Sequence, residues 1–151
     1  MATAIIKIAT IHCNQLTERD DDEIYCEFSA HYEGDSNPIN DRLPYGDKRV
    51  WKIKQKETLA LNLDVFTGKV DKPLTFTMRL KEQDMVGRLS GTTLMDDYIG
   101  SFKIVISPDY KVQWEEGEST NYLGEESNSL HHFEMTGSKA FYRMEVYFKL
   151  I

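Results

Sequence analysis

The sequence predicts an all-β protein, an antiparallel β-sandwich of about eight strands. Apolar and polar residues alternate with the period of a half-buried strand in several runs, most clearly at 24–32 and 74–80. Turn-forming residues separate these runs, and no segment keeps the helical period over several turns. Short alternating strands joined by turns are typical of two antiparallel sheets packed face to face.

The first part of the chain contains four predicted strands. Residues 4–13 are rich in β-branched side chains, and 24–32 alternate cleanly. Shorter runs at 50–54 and 58–65 follow. Between the second and third strands, 34–46 holds two prolines and several turn formers, so we expect a long surface loop there.

Four further strands are predicted in the second part of the chain, at 74–80, 98–107, 130–135 and 140–150. The stretch 108–128 is polar and acidic, and we expect a loop there with a short edge strand at 109–114. The interior between the sheets should hold the apolar members of these runs: Phe28, Trp51, Leu61, Phe76, Met78, Phe102, Ile104, Val146 and Phe148.

Length and charge limit the class of protein. A chain of 151 residues with 40% hydrophobic and 28% charged residues fits one soluble domain spanning 1–151. The net charge of −7 argues against nucleic-acid binding and against unaided docking on anionic lipid.

The apolar segment 1–10 contains a lysine and no small-residue cleavage site, so it fits a strand better than a signal peptide. With no apolar run of about 18 residues, we expect a cytoplasmic or peripheral-membrane protein without a transmembrane segment.

The cysteines and the paired histidines favour structural roles. Cys13 and Cys26 are too few for a disulfide framework, so buried free thiols are expected, with a cross-strand disulfide as the alternative. His131 and His132 are adjacent in a predicted strand and should point to opposite faces, so they cannot easily share a metal ion.

Acidic residues gather at both ends of the loop between 74–80 and 98–107. Glu82 and Asp84 continue the parity of the first strand, and Asp96 and Asp97 stand directly before the second. Four carboxylates at the mouth of one loop repel one another unless they are solvated, protonated or bridged by a cation. Calcium, which prefers oxygen ligands, is the cation we expect there.

The motif E-x-D followed by D-D-Y-I-G-S-F resembles the third-loop pattern of C2 domains, approximately D-x-D…D-x-I-G. This chain departs from that pattern in having Glu82 as the first acid, an unusually long loop and no S-D-P-Y motif. The resemblance implies an eight-stranded Greek-key β-sandwich that binds Ca²⁺ between loops at one end and then docks on a phospholipid membrane or a protein.

The resemblance also brings a second acidic segment to the same end of the sandwich. Asp20, Asp21 and Asp22 lie between the first two strands, a connection that C2-like architecture places beside the Glu82–Asp97 loop. Together the two segments could supply the roughly six to eight oxygen ligands that calcium prefers. A solvated charge run in a turn is the alternative interpretation.

Two functional hypotheses follow, neither of them catalytic. No G-x-S-x-G motif, activated cysteine or Walker spacing is present, so we expect a non-enzyme. The leading hypothesis is a C2-like calcium-binding module. The alternative is a metal-independent lectin-like or protein-interaction sandwich that uses 34–46 and 108–128. Four aromatic side chains in loop-like segments could contact a glycan or lipid, or cover the ends of the sandwich: Tyr45, Tyr110, Trp114 and Tyr122.

Overall fold

A computed structural model describes residues 1–17, 20–46, 49–83 and 96–151. Eleven β-strands lie in these ranges: β1 (Ala2–Gln15), β2 (Asp22–Tyr32), β3 (Ile39–Leu43), β4 (Trp51–Ile53), β5 (Thr58–Val70), β6 (Leu74–Glu82), β7 (Asp97–Ile106), β8 (Val112–Glu116), β9 (Thr120–Glu125), β10 (Leu130–Met135) and β11 (Phe141–Leu150). The only helical segments in the described ranges are two 3-10 turns, Ser127–Ser129 and Gly137–Lys139. Within the same ranges, no helix has the length and apolar character needed to cross a membrane.

The described strands form two antiparallel sheets packed face to face. One sheet has the order β5-β1-β11-β10-β9, and the other has the order β3-β2-β6-β7-β8, with β4 also paired to β2. The predicted all-β sandwich is therefore confirmed. The predicted count of eight strands is not, because the described part of the chain contains eleven.

The two strands that the sequence analysis missed lie in segments predicted as loops. β3 and β9 are edge strands, and most of their side chains are exposed or half-buried. Residues of β3 pair with β2 from Ala30 opposite Ile39 to Cys26 opposite Leu43. Backbone pairing with a neighbour defines such a strand, so it needs no apolar alternation of its own.

The core lies between the sheets and is built around aromatic rings. Phe76 of β6 lies 5.8 Å from Phe28 and 6.2 Å from Phe66, measured between ring centroids. Phe102 stacks on Phe133 of the opposite sheet at 4.3 Å. Seven of the predicted core residues are buried, namely Phe28, Phe76, Met78, Phe102, Ile104, Val146 and Phe148, whereas Trp51 and Leu61 pack half-buried against them.

The two cysteines belong to this core. Both Cys13 and Cys26 are buried free thiols, as predicted. Burial raises the pKa of each thiol above its ordinary value, which disfavours the reactive thiolate.

A bulge explains why the strand at 58–65 was predicted too short. Ile6 pairs with Phe66 and Lys7 with Asp64, so Val65 is an extra residue on β5. The apolar alternation changes phase at this point, and both Val65 and Phe66 are buried. The strand continues to Val70, although the original alternation ends at Val65.

Strand register defines two ends of the sandwich. Ile24 pairs with Glu82, Glu82 pairs with Asp97, and Ile53 pairs with Asp22. β2 and β7 therefore begin, and β4 and β6 end, at the same end of the sheet, which we call the acidic end. At the opposite end the two termini of the chain lie side by side, with Thr3 and Ile151 joined by two backbone hydrogen bonds.

Candidate functional site

At the acidic end, Asp22 is fully buried and serves as a hydrogen-bond acceptor. Its Oδ2 accepts from the Thr17 backbone N–H at 2.9 Å and from the Tyr142 hydroxyl at 2.5 Å, and its Oδ1 accepts from Thr17 Oγ1 at 2.7 Å. Tyr142 belongs to β11 in the opposite sheet. Burial, reinforced by the hydrogen bond to Asp22, raises the pKa of the Tyr142 phenol, so the hydroxyl remains a donor.

Asp20 and Asp21 precede this buried carboxylate in the β1–β2 connection, and both are exposed. They require no interior partner, because solvent can hydrate their charge. The run of three aspartates therefore divides into two exposed residues and one buried residue.

Glu82 and Asp97 occupy opposite positions on β6 and β7. Glu82 is buried and Asp97 is half-buried. Glu82 also lies opposite Ile24, two residues after Asp22 on the same face of β2. Asp22, Glu82 and Asp97 thus point toward the interior side of one sheet, near its acidic end.

Asp96 has a partner on the outer face of that sheet. The Tyr25 hydroxyl donates to Asp96 Oδ2 at 2.5 Å, and the Arg42 guanidinium lies over the Tyr25 ring at 3.7 Å. Burial, with the hydrogen bond to Asp96 as the next cause, raises the pKa of the Tyr25 phenol. Tyr25 follows Ile24, so it points to the face opposite that of Asp22 and Glu82.

The predicted calcium ligands that the structure describes consequently share one end of the fold, on two faces of one sheet and in the β1–β2 connection. Among the residues that the structure describes, no group of three or more His, Cys, Asp or Glu side chains is arranged to hold a metal ion. Asp84 lies outside the described residues. Carboxylate oxygen is the correct donor type for calcium. Asp22 is buried and three hydrogen bonds already occupy most of its acceptor sites, whereas Asp20 and Asp21 are exposed.

Sequence reasoning missed the two tyrosines that anchor these carboxylates. Tyr25 stands at an outward position in the alternation of β2, yet it is fully buried. A large aromatic ring at an outward position is a signal that another group covers it. The pairing of Tyr142 with Asp22 leaves no such local signal, because the two residues lie 120 positions apart.

A second arrangement lies between the sheets, away from the acidic end. Trp114, at the end of the predicted edge strand 109–114, lies on β8, and Tyr122, expected in a loop, lies on β9. Their rings stack at 5.1 Å with an interplanar angle of 8°. The other two aromatic residues predicted in loops, Tyr45 and Tyr110, are exposed.

The paired histidines point to opposite faces of β10, as predicted, and only His131 lies beside these rings. His131 is buried, with its ring 4.2 Å from that of Trp114. His132 is half-buried on the outer face, within 3.4 Å of Glu126 and 3.6 Å of Glu145.

No protein-family model matches the sequence, and no curated protein matches it either. Function therefore has to be inferred from the residues of this chain.

Proposed function

We propose that this chain is a non-catalytic C2-like module that binds Ca²⁺ at its acidic end and docks there on a phospholipid membrane or a protein partner. The observation that supports this proposal is the register that aligns Asp22, Glu82 and Asp97 at one end of one sheet. Two acidic segments that are distant in sequence thus open at the same end, as the C2 resemblance requires.

The strand order is compatible with an eight-stranded Greek-key sandwich of the C2 kind. β3 and β4 pair with successive parts of β2 and can be counted as one interrupted strand. β8 and β9 are short edge strands, one in each sheet. If these two are additions, eight strands remain, with the orders β5-β1-β11-β10 and β3/β4-β2-β6-β7.

In this proposal, the described residues that contribute carboxylate oxygens are Asp20, Asp21, Glu82 and Asp97, with Asp84 from the segment between β6 and β7. Asp96 would instead stay bound to the Tyr25 hydroxyl on the outer face. Bound calcium would supply positive charge and open coordination positions for a phosphate or carboxylate of the partner. Buried Asp22 would fix the β1–β2 connection through Thr17 rather than act as a ligand. The net charge of −7 explains why docking on an anionic surface would depend on the cation.

The direct test is thermal unfolding with millimolar calcium and with a chelator. A ligand that binds only the folded state stabilises it by about 2.7 kcal/mol at a hundredfold excess over Kd. Asp97→Asn should remove most of the calcium-induced rise in Tm and leave the chelated protein folded. Asp64→Asn is the matched control, because the Asp64 side chain is exposed on β5 and its ion pair with Lys7 lies at the surface, while its hydrogen bond with Tyr45 uses the backbone carbonyl.

Titration calorimetry and vesicle sedimentation complete the test. The proposal predicts calcium binding and calcium-dependent sedimentation with phosphatidylserine vesicles or, if the partner is a protein, calcium binding alone. If calorimetry detects no heat of calcium binding at millimolar concentration, the proposal is refuted and the carboxylates are solvated or structural groups.

A further inference from the structure

A pocket of about 320 Å³ opens between the two sheets at the end opposite the acidic end. Val112, at the start of β8, lines this pocket and pairs with Ile106, the last residue of β7. Asp97, at the acidic end, is the first residue of the same strand. Trp114, Val112 and Leu150 give the pocket apolar walls, while His131, Glu125 and Lys149 give it polar groups. Its size falls within the usual range of small-molecule sites.

His131 is the most constrained of these polar groups, with only 4% of the residue exposed. Its Nδ1 lies 2.7 Å from the Tyr122 hydroxyl. Burial raises the pKa of the Tyr122 phenol, so its hydroxyl stays protonated and can donate to Nδ1 in one tautomer of His131 or accept from Nδ1–H in the other. In the tautomer that has Nδ1 as the acceptor, the neutral imidazole carries its proton on Nε2, and this is the form that the proposal below uses.

The Nε2 atom faces the carboxylate of Glu125. The two groups are 3.9 Å apart, which is too long for a hydrogen bond. Glu125 lies opposite His131 in the pairing of β9 with β10, and its side chain is 55% exposed at the rim of the pocket. In that tautomer the pocket presents an N–H donor and a carboxylate acceptor side by side.

A hydroxyl group satisfies both partners at once, because it accepts a hydrogen bond from Nε2–H and donates one to the carboxylate. An anion placed between His131 and Glu125 would be repelled by the Glu125 carboxylate, whereas a neutral hydroxyl is not. Trp114 is half-buried, and its ring already stacks on His131 and Tyr122. The part of the ring that remains exposed in the pocket offers apolar surface to the C–H groups of a compact ring. A neutral ring bearing several hydroxyls matches every one of these groups.

We propose that this pocket binds one neutral pyranose ring of a glycan, with a ring hydroxyl bridging His131 and Glu125. The site is separate from the acidic end and needs no metal ion. It gives the metal-independent lectin-like hypothesis a definite location, and it does not depend on the calcium proposal.

The test uses Trp114 as the reporter. Trp51→Phe leaves Trp114 as the only tryptophan, since the sequence has two. This protein is titrated with the methyl glycosides of glucose, mannose, galactose and N-acetylglucosamine, each in the presence of a chelator. We expect a saturable change in fluorescence with at least one glycoside. No saturable change with any of them would overturn the proposal, and so would binding that the chelator abolishes.

Glu125→Gln, made in the same background, tests the bridging hydroxyl. The substitution keeps the size of the side chain and removes the charged acceptor, so the affinity should fall about tenfold. Glu126→Gln is the matched control, because Glu126 is the exposed neighbour and does not line the pocket. Equal affinities for the two variants, with unchanged melting temperatures, would overturn the assignment of Glu125.

Discussion

The carboxylate of Asp22 joins its own connection, five residues before it, to a strand 120 residues away in the sequence. Asp22 is the first residue of β2. Its carboxylate accepts two hydrogen bonds from Thr17 in the β1–β2 connection and a third from Tyr142 in the opposite sheet. A buried carboxylate is tolerated only when hydrogen bonds replace its hydration. Asp22 therefore couples the acidic end of the six-stranded sheet to the five-stranded sheet.

Tyr142→Phe should destabilise the protein by about 1–3 kcal/mol, because the ring is retained while a buried charged acceptor loses a donor. Urea unfolding followed by fluorescence measures this loss. Tyr147→Phe is the control on the same strand, since Tyr147 is only half-buried and points to the other face. If the two variants lose the same stability, the Asp22 hydrogen bond does not account for the effect.

His131 makes stability depend on pH. Burial lowers the pKa of His131, an effect that Glu125 partly offsets and His132 reinforces. Because the pKa is lower in the folded state than in the unfolded state, the unfolded chain binds more protons as the pH falls below about 6.5. The contribution of His131 to stability is therefore complete above that pH and is lost as the pH falls through the folded-state value.

His131→Gln should accordingly flatten the decline in the free energy of unfolding between pH 8 and pH 5. Urea titrations of both proteins at several pH values provide the measurement. Parallel pH curves for the wild type and the variant would contradict the assigned role of His131.

At the scale of elements, β8 is the edge strand of the six-stranded sheet and β9 the edge strand of the five-stranded sheet. The connection between them therefore joins the two sheets and closes one side of the sandwich. The connection between them is fixed by backbone hydrogen bonds from Gly117 N–H to the Ser101 carbonyl at 2.9 Å and from Thr136 N–H to the Ser119 carbonyl at 2.8 Å. A Cβ atom on residue 117 would lie 2.7 Å from the Ser101 carbonyl oxygen. Only glycine lets the two backbones approach this closely.

Gly117→Ala should therefore cost about 1–3 kcal/mol, the usual range for overpacking. The loss is measured by urea unfolding, with Glu118→Ala as the control, since its side chain is exposed in the same connection. A Gly117→Ala protein as stable as the control would mean that the connection can shift without cost.

The strands that could be predicted are those that bury one face. β2 and β6 carry a strict apolar alternation, because every second residue enters the core. β3 and β9 carry little of it, since edge strands are held by backbone pairing. The acidic end follows from the order of the strands. The burial of Asp22 and the partner of Asp96 could not be predicted from the sequence, because both depend on tyrosines that only the tertiary fold brings close.

At the scale of the whole molecule, Phe76 connects the aromatic rings of the core. It lies in the middle strand of the six-stranded sheet, and its ring contacts those of Phe28 and Phe102 in that sheet and Phe66 of the other. The union of the two sheets depends on contacts of this kind, since apolar burial is the main favourable contribution to folding.

Phe76→Ala should cost about 3–5 kcal/mol, the range for removing a buried aromatic side chain. Thr77→Ala, at the next and outward-facing position, should cost much less. Equilibrium urea unfolding compares the two variants. A loss below about 1 kcal/mol for Phe76→Ala would show that the interior relaxes into the space that the ring leaves.

The adjacency of Thr3 and Ile151 has a practical consequence for handling the molecule. A tether or tag joined to either terminus emerges beside the end of β11, where Lys149 and Leu150 line the inter-sheet pocket. Protein immobilised in this way would present its acidic end to the solution and turn the pocket toward the support. Calcium and vesicles can therefore be assayed on the immobilised protein, whereas glycan titrations call for the untagged protein in free solution.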